Sequence, residues 1–148
     1  MKIALGSDHG GYALKCKIKE HLEGQGYECV DFGCHSLESC DYPDFGEAAA
    51  RAVAAGDCPR GIVVCTTGIG ISMAANKVHG IRCAHCADTV EARLTREHND
   101  ANMLAMGARI IGGELARGIV KAFLETEFSN GKRHIDRINK ITELEIAK

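Results

Sequence analysis

Tryptophan is absent from this sequence, and aromatic residues together make up only 5% of it. A core must therefore be assembled mainly from Ile, Leu, Val, Ala and Cys. Surplus charge is missing too: Lys and Arg number 18 against 20 Asp and Glu, a formal net charge of -2. That balance argues against a general binder of polyanions such as nucleic acid, so any anion site has to be a local cluster of basic residues. No apolar run approaches the length that crosses a bilayer. The stretch Ile3–Leu5 is far too short for the apolar region of a signal peptide. Repeats, linkers and low-complexity tracts are also lacking. What remains is 148 residues, 45% hydrophobic and 26% charged, the balance of one globular domain with one core. The eight cysteines could suggest a disulfide framework, but several lie inside apolar runs such as Ile62-Val63-Val64-Cys65. Free cysteine behaves there as a small hydrophobe. With no leader to export the chain, the expected compartment is the reducing cytoplasm, where such thiols stay free.

Short apolar runs alternate with longer periodic segments. Strands are expected at Lys2–Ser7, Tyr27–Phe32, Gly61–Thr66, Ile81–Cys86 and Asn102–Met106. Helices are expected at Tyr12–Gly24, Phe45–Ala55, about Ile71–Val78, Thr89 to about His98 and Glu114–Glu127, with a last one from about His134 to Ala147. A loop through Tyr42-Pro43 precedes the second helix. The third strand is apolar almost throughout, as expected when both faces are buried. The pattern predicts an α/β fold: one domain over residues 1–148, a three-layer α/β/α sandwich around a five-stranded parallel sheet. Ligands of such sheets bind beyond the carboxyl ends of the strands. The residues to weigh are thus Asp8-His9, Cys65–Ser72, Asp88 and the segment around Arg109.

The strongest local pattern is Cys65-Thr66-Thr67-Gly68-Ile69-Gly70-Ile71-Ser72. A strand delivers the cysteine, two glycines allow a tight turn, and a helix begins at once. The free N–H groups of that helix start face the turn, with the positive end of the dipole behind them. They would bias a thiol toward thiolate and offer preorganised donors to a forming oxyanion. A buried cysteine before an ordinary strand-to-helix turn is the plainer alternative. Gly6-Ser7-Asp8-His9-Gly10-Gly11 closes the first strand; its Asp and His could position a hydroxyl and a phosphate, or simply make a polar turn. Arg96-Glu97-His98-Asn99-Asp100-Ala101-Asn102 carries in His98 an imidazole suited to proton exchange, or else a solvated helix end. Between Ser129 and Lys140, the cations Lys132, Arg133, Arg137 and Lys140 face only Asp136. Arg133 and Arg137, four apart, share a helix face and could grip a phosphate as forks, or form a solvated charged face.

Other readings of these pieces fit less well. A dinucleotide fingerprint needs Gly or Ala where Met73 stands, although Asp88 follows Gly68 by twenty residues. A Walker loop needs Gly-Lys-Ser/Thr, which neither glycine-rich loop has. A cysteine phosphatase needs arginine where Ile71 stands. Cys83-Ala84-His85-Cys86 has zinc-like spacing, but residues three apart on a strand point to opposite faces and could not share an ion.

Taken together and in this order, the pieces resemble the type B ribose-5-phosphate isomerases and the related galactose-6-phosphate and allose-6-phosphate isomerases. The resemblance rests on GSDHGG at Gly6–Gly11, DYPDF at Asp41–Phe45, CTTGIGISMAANK at Cys65–Lys77, REHNDAN at Arg96–Asn102 and the C-terminal arginines, and so spans nearly the whole chain. It implies Rossmann-like topology and a homodimer, or a dimer of dimers, with active sites shared between chains. The implied activity is aldose–ketose isomerisation of a phosphorylated sugar, without metal or organic cofactor and with neither nucleic acid nor membrane as partner. Ribose 5-phosphate is the first choice of substrate and a six-carbon sugar phosphate the alternative. The resemblance casts Cys65 as the base for the carbon-bound proton, with Thr67 also among the catalytic residues. It makes the amides of Gly68, Ile69, Gly70, Ile71 and Ser72 the cradle of an enediolate. Asp8 and His98 become the ring-opening pair, Asn99 a hydroxyl ligand, and His9, Arg109, Arg133 and Arg137 the phosphate ligands. One departure is visible: where the family commonly has glycine, this chain has Thr66, whose side chain could narrow the pocket.

The chemistry suits that assignment. Moving a carbonyl between neighbouring carbons requires one base to remove and return a poorly acidic proton while fixed donors hold the enediolate. Two rival classes stand beside it: a cysteine hydrolase using Cys65, His98 and Asn99 or Asp100, and a non-catalytic nucleotide-binding module. Finally, Ile135, Ile138, Ile141 and Leu144 recur every three residues near the C-terminus. On a helix they make an apolar stripe, expected to pack on a partner subunit although docking on its own chain fits equally.

Overall fold

The apolar runs become strands of one sheet, and their alternation decides which helix layer each side chain meets. The computed structural model describes residues 1–146. In chain order its elements are β1 (Lys2–Ser7), α1 (Tyr12–Gly24), β2 (Glu28–Asp31), α2 (Tyr42–Ala54), β3 (Arg60–Cys65), α3 (Ile69–Ala75), β4 (Cys83–His85), α4 (Thr89–Asn99), β5 (Met103–Gly107), α5 (Gly113–Glu125) and α6 (Lys132–Ile146). Every strand pairing is parallel, in the order β2-β1-β3-β5-β4. Ile3 and Leu5 of β1, Ile62 and Val64 of β3, and Leu104 and Met106 of β5 face α1, α4 and α5. Ala4, Val63, Cys65, Met103 and Ala105 alternate with them and face α2 and α3, as the two-residue period of a strand requires. The expected three-layer, Rossmann-like α/β/α sandwich is what these residues build. Among the described residues Phe123 is the only buried aromatic; aliphatic and sulfur side chains fill the rest of the core.

Element boundaries differ from expectation where a local interaction wins over the apolar pattern. The helix expected from Phe45 begins at Tyr42, taking in the anticipated loop, because Pro43 sits in its first turn, where a missing N–H costs nothing. The third helix starts two residues early, at Ile69, straight after Gly68 in a left-handed conformation (φ 80°). β4 is shorter than the apolar run Ile81–Cys86. Its entry is taken over by the Asn102 side chain, whose Oδ1 accepts from Arg82 N–H at 2.9 Å and whose Nδ2 donates to the Gly80 carbonyl at 2.8 Å. The last helix starts at Lys132, and the expected end at Ala147 lies outside the described residues.

Two features of the topology position a site. The chain leaves β1 toward β2 on one side, while β3 lies on its other side. A crevice therefore opens at the carboxyl ends of β1 and β3. Asp8 and His9 follow β1 there, and Cys65 ends β3. Helix α6 belongs to neither covering layer. His134 is its one buried residue, and Ile135, Ile141 and Leu144 remain 38%, 43% and 68% exposed.

Candidate active site

Strand β3 carries Cys65 to the crevice, where it is almost fully buried. The left-handed turn at Gly68 bends the following backbone over it, so that Gly68 N–H donates to Cys65 Sγ at 3.1 Å. Glycine is required at this turn. A Cβ on Gly68 would stand 2.7 Å from the Met106 carbonyl carbon, and L side chains rarely adopt its φ. Ile69 N–H donates to Thr67 Oγ1 at 3.2 Å, and Ser72 is turned inward, its hydroxyl donating to the Ile69 carbonyl at 2.7 Å. Gly70 and Ile71 are left with N–H groups that have no hydrogen-bond partner among the described residues. These two open donors lie in the first turn of α3, five and six residues after Cys65. The Ile71 side chain is fully buried in the core, so only its backbone can serve a ligand.

The neighbouring segments close around this turn. Asp8 is buried, and its Oδ1 accepts from Gly11 N–H at 3.0 Å, holding the turn after β1. His9 is half-buried, and its Nδ1 accepts from Cys40 N–H at 3.2 Å. The Thr66 side chain lies against Gly10, so closely that any Cβ at position 10 would collide with its hydroxyl. Arg109 follows β5 with its side chain exposed and its N–H donating to the Thr66 carbonyl at 3.0 Å. Two neighbours of the turn escaped the sequence reading of the site. The Tyr42 ring packs on Gly70, where a Cβ would come 2.5 Å from Cζ, and the His85 ring packs on Gly68. The signal for Tyr42 lay in the second glycine of the loop, which is small because a ring covers it.

A second group of the expected residues lies elsewhere. His98 and Asn99 end α4, which runs back to the amino end of β5. Arg82, just before β4, binds that helix end, its Nε donating to the Asn99 carbonyl and its Nη2 to the Asp100 carbonyl, both at 2.9 Å. The Asn99 side chain accepts from the Thr95 hydroxyl at 3.1 Å. The His98 ring stacks on His134 of α6, centroids 4.5 Å apart and planes 13° apart. With Glu97, Ser129, Lys132 and Arg133 these rings line an open groove of about 450 Å³. Burial first, then His98, Arg133 and Arg137, hold His134 below the ordinary imidazole value. Arg133 and Arg137 are exposed one turn apart, and neither forms an ion pair among the described residues.

The two groups sit at opposite ends of the sheet. Cys65 pairs with Gly107 at the carboxyl end of β5, whereas Gly61 pairs with Met103 at its amino end. Four strand steps of about 3.3 Å put some 13 Å of backbone between them. Within one chain, Asp8, His9, Cys65–Ser72 and Arg109 thus converge, while His98, Asn99, Arg133 and Arg137 form a separate cluster. The other cysteines lie off the Cys65–Ser72 turn. Burial raises Cys29 to about 11 and Cys86 to about 12, and moves Cys58 and Cys83 the same way. Cys83 and Cys86 pack in opposite layers, one beside Ile81 and the other beside Ala92.

Comparison with known proteins names this arrangement. Residues 3–141 match the family described as Ribose/Galactose Isomerase. The chain belongs to the ribose/galactose isomerase family. It is 47% identical to ribose-5-phosphate isomerase B of Escherichia coli (strain K12) over 144 residues, covering 97% of this chain and 96% of that one. It is 41% identical to the galactose-6-phosphate isomerase subunit LacB of Clostridium acetobutylicum, covering 97% and 83%. Its fold matches the structure of Clostridium thermocellum ribose-5-phosphate isomerase B with a TM-score of 0.98 and 56% identity, covering 99% of both chains. Enzymes of this family are sugar-phosphate isomerases, and this chain is one of them.

Proposed function

We propose that this isomerase interconverts ribose 5-phosphate and ribulose 5-phosphate through an enediolate, with Cys65 as the base that moves the proton between C1 and C2. The observation that carries the reading is the meeting of one buried sulfur with a turn of aligned amides. Gly68 N–H steadies the sulfur at 3.1 Å, and the Gly70 and Ile71 amides are open for the oxygens of a bound sugar. A negative oxygen formed there meets donors that need no rearrangement. Thr67 shapes the same turn, and the Ile69 and Ser72 amides, which donate to Thr67 Oγ1 at 3.2 Å and to the Gly68 carbonyl at 3.3 Å, hold the cradle's shape from either side. These groups supply the charge stabilisation that the step requires, so the proposed reaction runs without metal or organic cofactor.

A five-carbon substrate is favoured by Thr66, which occupies the space over Gly10 at the mouth of the crevice. Allose 6-phosphate and galactose 6-phosphate, one carbon longer, are the alternative. His9 and Arg109 would hold the phosphate from the Cys65 side. We assign Asp8 and His98 to ring opening, Asn99 to a sugar hydroxyl, and Arg133 and Arg137 to the phosphate.

The separation of the two clusters leads to a further part of the proposal: the working site is built from two chains, with the α4–α6 cluster supplied by a partner. The open stripe Ile135, Ile138, Ile141 and Leu144 gives α6 an apolar face to bury on that partner. The same separation counts against a hydrolase assembled within one chain from Cys65, His98 and Asn99 or Asp100. Replacing Cys65 with Ala tests the base directly. Ribose 5-phosphate should then show no solvent-deuterium uptake at C1 or C2 and a loss of roughly 10²–10⁴-fold or more in turnover. Binding of a phosphate inhibitor should be kept. Near-normal turnover in Cys65→Ala would end the assignment.

A further inference from the structure

The proposed chemistry uses one cysteine, but two more converge on the same crevice. Cys34 N–H donates to the Ser7 carbonyl at 2.7 Å, and its sulfur lies 3.9 Å from the Ser7 hydroxyl. Six residues later the chain returns to the same place. Cys40 N–H donates to His9 Nδ1 at 3.2 Å, and the Cys40 sulfur lies 4.0 Å from that nitrogen. Ser7 and His9 are two residues apart at the end of β1, so both thiols are pinned to one short stretch of backbone. The Cys34 thiol donates to the Ser36 carbonyl at 3.3 Å, at the start of the loop that leads to Cys40.

The near side of this loop is anchored. The Lys15 ammonium, fully buried, donates to Asp31 Oδ1 at 2.7 Å and also to the Cys34 carbonyl. Asp31 Oδ1 also accepts from Gly33 N–H at 2.9 Å. Residues 35–39 between the thiols are exposed. Two thiols held two residues apart on one stretch of backbone thus bracket an exposed loop that a small oxidant can reach.

We propose that Cys34 and Cys40 are an oxidative modification site, a dithiol that closes to a reversible disulfide and disables His9 when it does. His9 is the link. With Nδ1 accepting from the Cys40 backbone, the ring hydrogen of neutral His9 sits on Nε2 and can be donated outward to a phosphate oxygen. Drawing the Cys40 sulfur to bonding distance from Cys34, about 2 Å, displaces the backbone group that fixes this ring. The consequence for catalysis rests on the proposed role of His9; formation of the disulfide does not.

The reaction balances with a small-molecule disulfide such as glutathione disulfide as oxidant. The less buried Cys40 attacks one of its sulfurs as thiolate, giving a mixed disulfide and releasing one glutathione thiolate. Cys34 thiolate then attacks the Cys40 sulfur and releases the second glutathione. Two protein thiols are oxidised, one disulfide is reduced to two thiols, and the two cysteine protons pass to the glutathiones. Burial, chiefly, raises Cys40 above the ordinary thiol value; Cys34, His9 and Asp8 are the titratable groups around it. Thiolate is therefore scarce at neutral pH, and closure accelerates as the solution becomes alkaline.

The test treats the reduced, full-length protein with glutathione disulfide at neutral and mildly alkaline pH, followed by peptide mapping without reductant. Exposed Cys16, capped by glutathione, reports that the oxidant has acted. The expected product is a Cys34–Cys40 cross-link that forms faster at the higher pH and is reversed by dithiothreitol. KM for ribose 5-phosphate should rise roughly tenfold or more with the cross-link, the effect of losing a hydrogen bond to a charged group. Cys34→Ser and, separately, Cys40→Ser should form no cross-link and keep their KM under oxidant. Capped Cys16 beside reduced Cys34 and Cys40, or separate glutathiones on each, would overturn the proposal. A cross-link that leaves KM unmoved would keep the dithiol and overturn the role given to His9.

Discussion

The imidazoles of His98 and His134 lie face to face, and the basic side chains around them make a second positive charge unwelcome. The folded chain therefore resists protonating His134, whose pKa is lowered by burial and then by His98, Arg133 and Arg137, while the unfolded chain takes the proton near the ordinary value of about 6.5. Protons then favour the unfolded state, so this contribution to stability is complete above that pH and is lost as pH falls toward the lower folded value. Thermal unfolding should occur at lower temperature as the buffer is taken below neutrality, and His134→Gln should flatten that dependence; an unchanged slope would show that other groups cause it. The arginines beside the stack predict a different signature. Arg133→Ala and Arg137→Ala should each raise KM for the phosphorylated sugar by about 1.5–3 kcal/mol in binding terms, with little change in any weak activity toward unphosphorylated ribose. Equal losses on both substrates would point to a structural role instead. The paired arginines were legible in the sequence because a helix places residues four apart on one face. The imidazole stack was not, since His98 and His134 lie on different helices and no spacing rule joins them.

Among the elements, the β3–α3 turn concentrates both chemistry and constraint. Gly68 sits at φ 80° with backbone atoms of Met106 and Gly107 within 3 Å of where a Cβ would be. Gly68→Ala must therefore strain the turn or move it, at a cost of order 1–3 kcal/mol, and either response displaces the amide on Cys65. Chemical denaturation should show the destabilisation, and turnover should fall by more than substrate affinity does. A variant with wild-type stability and turnover would mean that the turn is not the preorganised element argued for. This turn could be read in advance because glycine spelling, an apolar strand and an immediate helix coincide within eight residues. The edges of α2 and β4 were less legible, since Pro43 and the Asn102 side chain act there through local geometry that apolar periodicity does not report. Lys15 escaped for a related reason: a lysine in a helix reads as solvated until a distant carboxylate and carbonyl are known to meet it.

At the scale of the whole molecule, the layered fold followed from alternating apolar segments, and the candidate site residues were named from short motifs and the resemblance they carry. Their separation did not. That Cys65 and His98 stand at opposite ends of the sheet depends on strand order and register, which place β5 between β3 and β4 and bring α4 back to its amino end. A single chain thus keeps the two clusters apart and leaves Ile135, Ile141 and Leu144 of α6 exposed. We propose that Cys65 of one chain works with His98 of its partner. Cys65→Ala and His98→Ala proteins, each inactive alone, can be mixed, dissociated and reassembled, with subunit exchange verified by mass spectrometry. Random pairing makes half of the dimers mixed, and one of the two sites in each mixed dimer is wild type, so activity should return to about a quarter of normal. If exchange is complete and no activity returns, the two residues serve the same chain's site and the two-chain account is wrong.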